Sequence, residues 1–137
     1  MKKAMTLTLA LILLLSTASA VFARESDQID SYSITMVPRG SGKIEVTVNV
    51  SGTHRQMTKI GFPGVTLYER VDSNSAWSPV SIHTGKYNPN ATAGSHTYTF
   101  TFSGVAGRQY YVYASFYAQD AQGSDSRNAN STTVTAT

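Results

Sequence analysis

The sequence predicts a single all-β domain, an antiparallel β-sandwich of about seven strands. Three observations carry this expectation. Beyond residue 28 apolar residues recur at every second position, as they do along a strand with one buried face. The runs are separated by short clusters of Gly, Pro, Asn, Asp and Ser that break regular structure. No segment beyond residue 28 keeps an apolar spacing of 3.6 over three turns, so no helix is expected. A five- or six-stranded barrel is the alternative closure of the same pattern.

The N-terminus reads as a secretion signal. Lys2 and Lys3 precede an apolar run from Leu7 to Leu15, and Ala18-Ser19-Ala20 and Val21-Phe22-Ala23 each offer small residues for a signal peptidase. The run is well short of the ~20 residues that span a bilayer. Cleavage after Ala20 or Ala23 is therefore expected, leaving residues 24–30 as a short flexible segment and residues 31–137 as the sandwich. The chain has no cysteine, which excludes a lipoprotein anchor and disulfides alike, so the fold must rest on its apolar core. A secreted product without stable membrane insertion is the expectation.

Each strand has its own signature. Lys43 to Val50 alternates strictly, with Ile44, Val46, Val48 and Val50 on one face. Thr97 to Phe102 repeats the pattern with aromatic residues inside and threonines outside. Gln109 to Gln119 is a longer run of Tyr, Val and Phe, and Ser31 to Val37, Val65 to Val71, Trp77 to His83 and Thr132 to Ala136 fit less regularly. Turns are expected at Pro38 to Gly42, Ser51-Gly52, Phe62 to Gly64, Asp72 to Ser75, Asn88 to Gly94 and Ala121 to Ser124.

The stretch from Phe100 to Phe116 ends one apolar strand, passes a Gly-containing turn and opens another on Tyr110. It resembles the corresponding corner of fibronectin type III domains. The resemblance covers about 40 residues of the C-terminal third and implies an immunoglobulin- or fibronectin-III-like sandwich. It implies that Tyr110 is a structural corner tyrosine, with its ring buried and its hydroxyl bonded to backbone upstream. The chain is also similar to small exported proteins of Gram-positive bacteria, which implies no activity.

Composition excludes several functions. Removing the segment through Ala23 takes away Lys2 and Lys3 and no acid, so nine basic residues face eight acidic ones and the net charge drops from +3 to +1. The remaining cations are scattered, and no nucleic-acid partner is expected. Gly40-Ser41-Gly42-Lys43 has Ile44 where a phosphate loop needs Ser or Thr, and a strand follows it, so it reads as a hairpin turn.

His54, His83 and His96 show no metal-binding spacing, and no metal or cofactor is expected. His96 is expected to point outward, as are Glu45 and Glu69, while Asp72, Asp120 and Asp125 fall in turns. Asp120 and Asp125 flank a glycine-containing loop that is open to a calcium reading, although Asp is an ordinary turn residue. No serine lies in a nucleophile-elbow context, and no catalytic residue is expected. Three Asn-x-Ser/Thr sites, at Asn49, Asn90 and Asn130, read as coincidence.

The aromatic residues carry the functional expectation. With Tyr110, Val112, Ala114 and Phe116 facing the core, Tyr111, Tyr113 and Tyr117 share the opposite face, joined by Tyr68 from a neighbouring strand and by Trp77. Such a face suits glycan or protein recognition, and tyrosine, as a favoured strand residue, suits still more simply the cross-strand pairing that stabilises a sheet by about 0.2–1 kcal/mol per pair. The expected function is an exported, non-enzymatic binding or adhesion module that meets an unknown glycan or protein through this face. A structural or self-assembling cell-surface protein is the alternative, and a secreted toxin or inhibitor a third reading.

Overall fold

A computed structural model describes residues 27–137; the expected signal segment and cleavage sites lie outside the described residues. Eight strands run in the order β1 (Ile29–Gly40), β2 (Lys43–Gly52), β3 (Lys59–Arg70), β4 (Ser78–Tyr87), β5 (Ser95–Ser103), β6 (Gln109–Gln119), β7 (Ser124–Asn130) and β8 (Val134–Thr135). Two antiparallel sheets pack face to face. One has the order β1-β2-β5, the other β4-β3-β6-β7, with β8 pairing alongside β6. No helix occurs among the described residues. The all-β sandwich expected from the alternation is the observed architecture.

The core follows from the pleat. On β2, Ile44, Val46, Val48 and Val50 are buried while their neighbours are not, because β2 is the central strand of its sheet and only one of its faces meets the other sheet. Ile60, Phe62, Val65 and Leu67 from β3 meet them, with Tyr110, Val112, Ala114, Phe116 and Ala118 from β6. Each aliphatic or aromatic side chain so buried contributes about 1.5–3 kcal/mol. The Phe62 and Phe116 rings meet edge to face at 5.8 Å in the middle of this layer.

Several elements depart from the sequence reading. Phe62 to Gly64 is no turn: it lies inside β3, where the register with β6 shifts between Gly61 and Gly64. The irregularity absorbs Pro63, which cannot donate to the ladder. Gly61 is required there, since a Cβ would stand 2.4 Å from the Lys86 carbonyl oxygen. At the other end of the chain β7 spans Ser124–Asn130, and only two residues, Val134 and Thr135, pair within the expected Thr132 to Ala136 strand. Residues 40–42 turn the β1–β2 hairpin, with Gly40 opposite Lys43.

The β2–β3 and β6–β7 connections lie together at one end of the sandwich. Thr58 N–H donates to the Gln119 carbonyl at 2.8 Å, and Thr53 N–H to the Gln28 carbonyl at 3.1 Å. At the opposite end Gly42 N–H reaches the Thr137 carbonyl and Gly104 N–H the Gly42 carbonyl.

Candidate functional site

The first of these ends carries an open cleft of about 760 Å³, lined by Gln28, His54, Asp120, Gln122, Ser124 and Arg127 among others. Asp120 organises it. As the first residue of the β6–β7 turn, its Oδ1 accepts from the backbone N–H groups of Gln122 at 2.9 Å and Gly123 at 3.0 Å, which folds the turn on itself. The Gln28 Nε2 donates to the same oxygen at 3.5 Å. The other oxygen, Oδ2, faces His54 Nδ1 at 2.9 Å. Burial alone would raise the Asp120 pKa; the Gln122 and Gly123 amides, His54 and Gln28 outweigh it and hold the carboxyl below its ordinary value. Asp120 is an anion in the folded protein at neutral pH.

This anion fixes the His54 tautomer. An ionised carboxylate only accepts, so Nδ1 carries the hydrogen that points at Oδ2. Thr53 agrees with that assignment: its hydroxyl donates to the Asp27 carbonyl at 2.6 Å and leaves a lone pair toward Nδ1 at 3.3 Å. Nε2 of the neutral ring is then a bare acceptor. The His54 side chain is 61% exposed whereas Asp120 is only 5% exposed, so the base is open to solutes and its partner is not. Chemically, a carboxylate-oriented imidazole can accept a hydrogen bond from a ligand or take a proton from one.

Arg127 Nη1 donates to Asp125 Oδ1 at 2.9 Å, an ion pair on β7 itself. No group of three or more His, Cys, Asp or Glu side chains able to hold a metal ion occurs among the described residues. Both Asp120 oxygens, which a calcium reading of Asp120 and Asp125 would use, face N–H groups.

The remaining candidates lie elsewhere. Tyr68, Tyr111, Tyr113 and Tyr117 stand on the outer face of the larger sheet, where the rings engage one another. Tyr68 stacks on Tyr111 at 4.9 Å and 6°, Trp77 meets Tyr111 edge-on at 4.6 Å, and the Arg70 guanidinium lies 4.4 Å from the Trp77 ring. Tyr117 belongs to a second group, with Tyr87 at 6.2 Å and Lys59 over the Tyr87 ring at 4.2 Å. Tyr113, 38% exposed, stands between the two. The sequence reading did not include Tyr87, Lys59 or Arg70.

Three orientations need correction or completion. His96 shares the inward parity of Tyr98, Phe100 and Phe102, and its ring lies 5.6 Å from Phe62, so it faces the core. Glu69 points inward as well, beside Tyr110 across the ladder, and its carboxylate is satisfied by the Tyr110 hydroxyl and by Arg108 at 2.9 Å. The ring of Tyr110 is fully buried, and its hydroxyl oxygen accepts from the Val105 N–H at 2.9 Å.

No family model and no curated protein sequence matches the chain. Among solved structures it is similar to a superoxide reductase (neelaredoxin) from Archaeoglobus fulgidus, a variant in the reduced form, at 13% identity over 80% of this chain and 94% of that one, TM-score 0.44. It is also similar to a hypothetical protein from Pyrococcus horikoshii, at 16% identity over 78% of this chain and 93% of that one, TM-score 0.40. No fibronectin type III or immunoglobulin domain is named among these neighbours, and the family resemblance drawn from the C-terminal third is withdrawn. The expectation of a non-enzymatic adhesion module drew much of its weight from that fold analogy and is withdrawn with it, and its assembly and toxin alternatives are not carried forward. At this level of likeness neither neighbour's activity carries over to this chain.

Proposed function

We propose that the His54–Asp120 cleft is the ligand site of this protein and that it takes a small, neutral, hydroxyl-rich molecule, of which saccharides are the representative class. The observation that carries the reading is the nearly buried Asp120 carboxylate, which holds one exposed imidazole by its Nδ1 and leaves Nε2 as that ring's other hydrogen-bonding nitrogen. In the neutral ring this nitrogen is a fixed acceptor, which suits a ligand that donates a hydroxyl hydrogen. Asp120 is satisfied by four hydrogen-bond donors and Asp125 by Arg127, so these two carboxylates are already engaged within the protein and a hydroxyl donor meets His54 instead. The cleft volume is within the range of about 300–1,000 Å³ in which small-molecule sites fall. Gln122 and Ser124 supply further polar groups on its wall.

The test is a titration of the isotope-labelled protein with individual mono- and disaccharides, followed by amide chemical shifts. The reading expects at least one of them to move the resonances of His54, Gln122, Gly123 and Ser124 saturably. His54→Ala is expected to abolish the effect while leaving the rest of the spectrum in place. If no saccharide in the series perturbs the cleft, or if His54→Ala binds as the parent does, the assignment is wrong.

A further inference from the structure

A second histidine is built into a different part of the molecule, at the seam where edge strand β4 of one sheet approaches edge strand β5 of the other. Ser81 and His83 are two residues apart on β4, so the pleat turns both to the same side; they pair across the ladder with the buried Leu67 and Val65. Ser81 Oγ lies 2.9 Å from His83 Nε2, and His83 Nδ1 lies 2.8 Å from the Tyr98 hydroxyl on β5. The imidazole also packs on the Phe100 ring at a centroid distance of 4.0 Å. Ser81 and His83 are both only partly buried, and β4 has a ladder partner on one side alone, so a solute can reach the hydroxyl.

We propose that Ser81 is an activated serine nucleophile, with His83 as its general base and Tyr98 as the residue that positions the base. In the productive arrangement His83 Nδ1–H donates to the Tyr98 oxygen and the Ser81 hydroxyl donates to Nε2, which supplies the base and the third orienting group that nucleophile activation requires. The surroundings keep the base free. Burial and then the Lys86 ammonium hold the His83 pKa below its ordinary value, so the ring is neutral at pH 7. The titratable groups around it are Tyr98 and Lys86, whose ammonium lies 5.3 Å from the Tyr98 ring, with His96 at the next inward position along β5. The chemistry this permits is acyl or phosphoryl transfer to Ser81. With a fluorophosphonate, the Oγ–P bond forms, the P–F bond breaks, fluoride leaves and the hydroxyl proton passes to His83 Nε2.

The experiment treats the purified chain with a biotinylated fluorophosphonate and maps the adduct by mass spectrometry. One adduct is expected, on Ser81, absent from Ser81→Ala and from heat-denatured protein. His83→Phe keeps a ring against Phe100 and removes the base; it is expected to label about a hundredfold more slowly or less, within the range that a positioned base contributes. Circular dichroism checks that this variant is folded, and the parent's own rate, expected to fall as pH is lowered and His83 protonates, provides a reading that needs no variant. In Tyr98→Phe the labelling is expected to slow and its pH profile to shift, which a purely structural loss does not produce. Absence of an adduct on Ser81, equal labelling of His83→Phe, or a rate in the parent that ignores pH overturns the proposal.

Discussion

Replacing Tyr110 by phenylalanine removes a single oxygen at the end of the sandwich opposite the cleft, and the structure sets what that costs. The hydroxyl accepts from the Val105 N–H at 2.9 Å and donates to Glu69 Oε2 at 2.5 Å, in a ring that has no exposed surface. A hydrogen bond to a charged group contributes about 1.5–3 kcal/mol and a neutral one about 0.5–1.5. Arg108 still holds the Glu69 carboxylate in the variant, so the net loss is set at about 2–3 kcal/mol. At a urea dependence of about 1.5 kcal/mol per molar this moves the unfolding midpoint down by roughly 1.3–2 M. The assay is equilibrium urea unfolding of the parent, Tyr110→Phe, Glu69→Gln and the double variant. The two sites touch, so their effects are expected to fall short of additivity by about 1 kcal/mol or more. An unchanged midpoint in Tyr110→Phe, or strict additivity in the cycle, refutes the argument that this hydroxyl ties the β5–β6 turn to β3.

Other outcomes follow from the same packing. Val48 is fully buried and Thr47 is not, so Val48→Asp is expected to abolish the cooperative unfolding transition while Thr47→Asp leaves it within about 1 kcal/mol; the reverse pattern means that the β2 faces are inverted. A Cβ on Gly104 would stand 2.4 Å from the Tyr110 hydroxyl oxygen, so Gly104→Ala is expected to destabilise to an extent similar to Tyr110→Phe, again by urea unfolding. Tyr111→Ala removes the stack on Tyr68 and the edge contact with Trp77, an expected loss of about 1–3 kcal/mol by thermal or urea unfolding. Burial lowers the folded-state pKa of both His83 and His96, so the stability they lend is fully present above the unfolded histidine value of about 6.5 and is lost as pH falls below it and through the lowered folded-state value. The urea midpoint is expected to be lower at pH 5 than at pH 7.5, and His96→Phe to flatten that difference.

How far the sequence carries depends on which face a residue serves. Ile44 to Val50 and Thr97 to Phe102 alternate cleanly because each strand covers the core with one face and meets solvent with the other. β7 escaped notice for the converse reason: Ser124 to Asn130 is an edge strand of polar residues, and of its side chains only Ala129 packs against the core. Phe62-Pro63-Gly64 has the composition of a turn and is a bulge, since Pro and Gly serve either purpose. The family resemblance rested on the Phe100 to Phe116 pattern, which describes a strand, a turn and a strand and names no lineage by itself.

The site was harder to read than the fold. Asp120 was legible as a turn residue from Asp120-Ala-Gln-Gly123, and it is one. Its second oxygen is committed to His54, 66 positions away, and pairing at that distance leaves no trace in local composition. Ser81 and His83 had a weak signal in their spacing, because residues i and i+2 of a strand share a face. Tyr98, which completes that group, comes from another sheet.

The measurement that tests the central claim most directly is the nitrogen spectrum of the His54 imidazole, recorded on the neutral ring with and without a saccharide that moves the cleft amides. The account predicts a protonated Nδ1, held by Asp120, and a bare Nε2 whose resonance shifts when the saccharide is added. An Nε2–H tautomer, or an Nε2 resonance that ignores every saccharide tried, would contradict it.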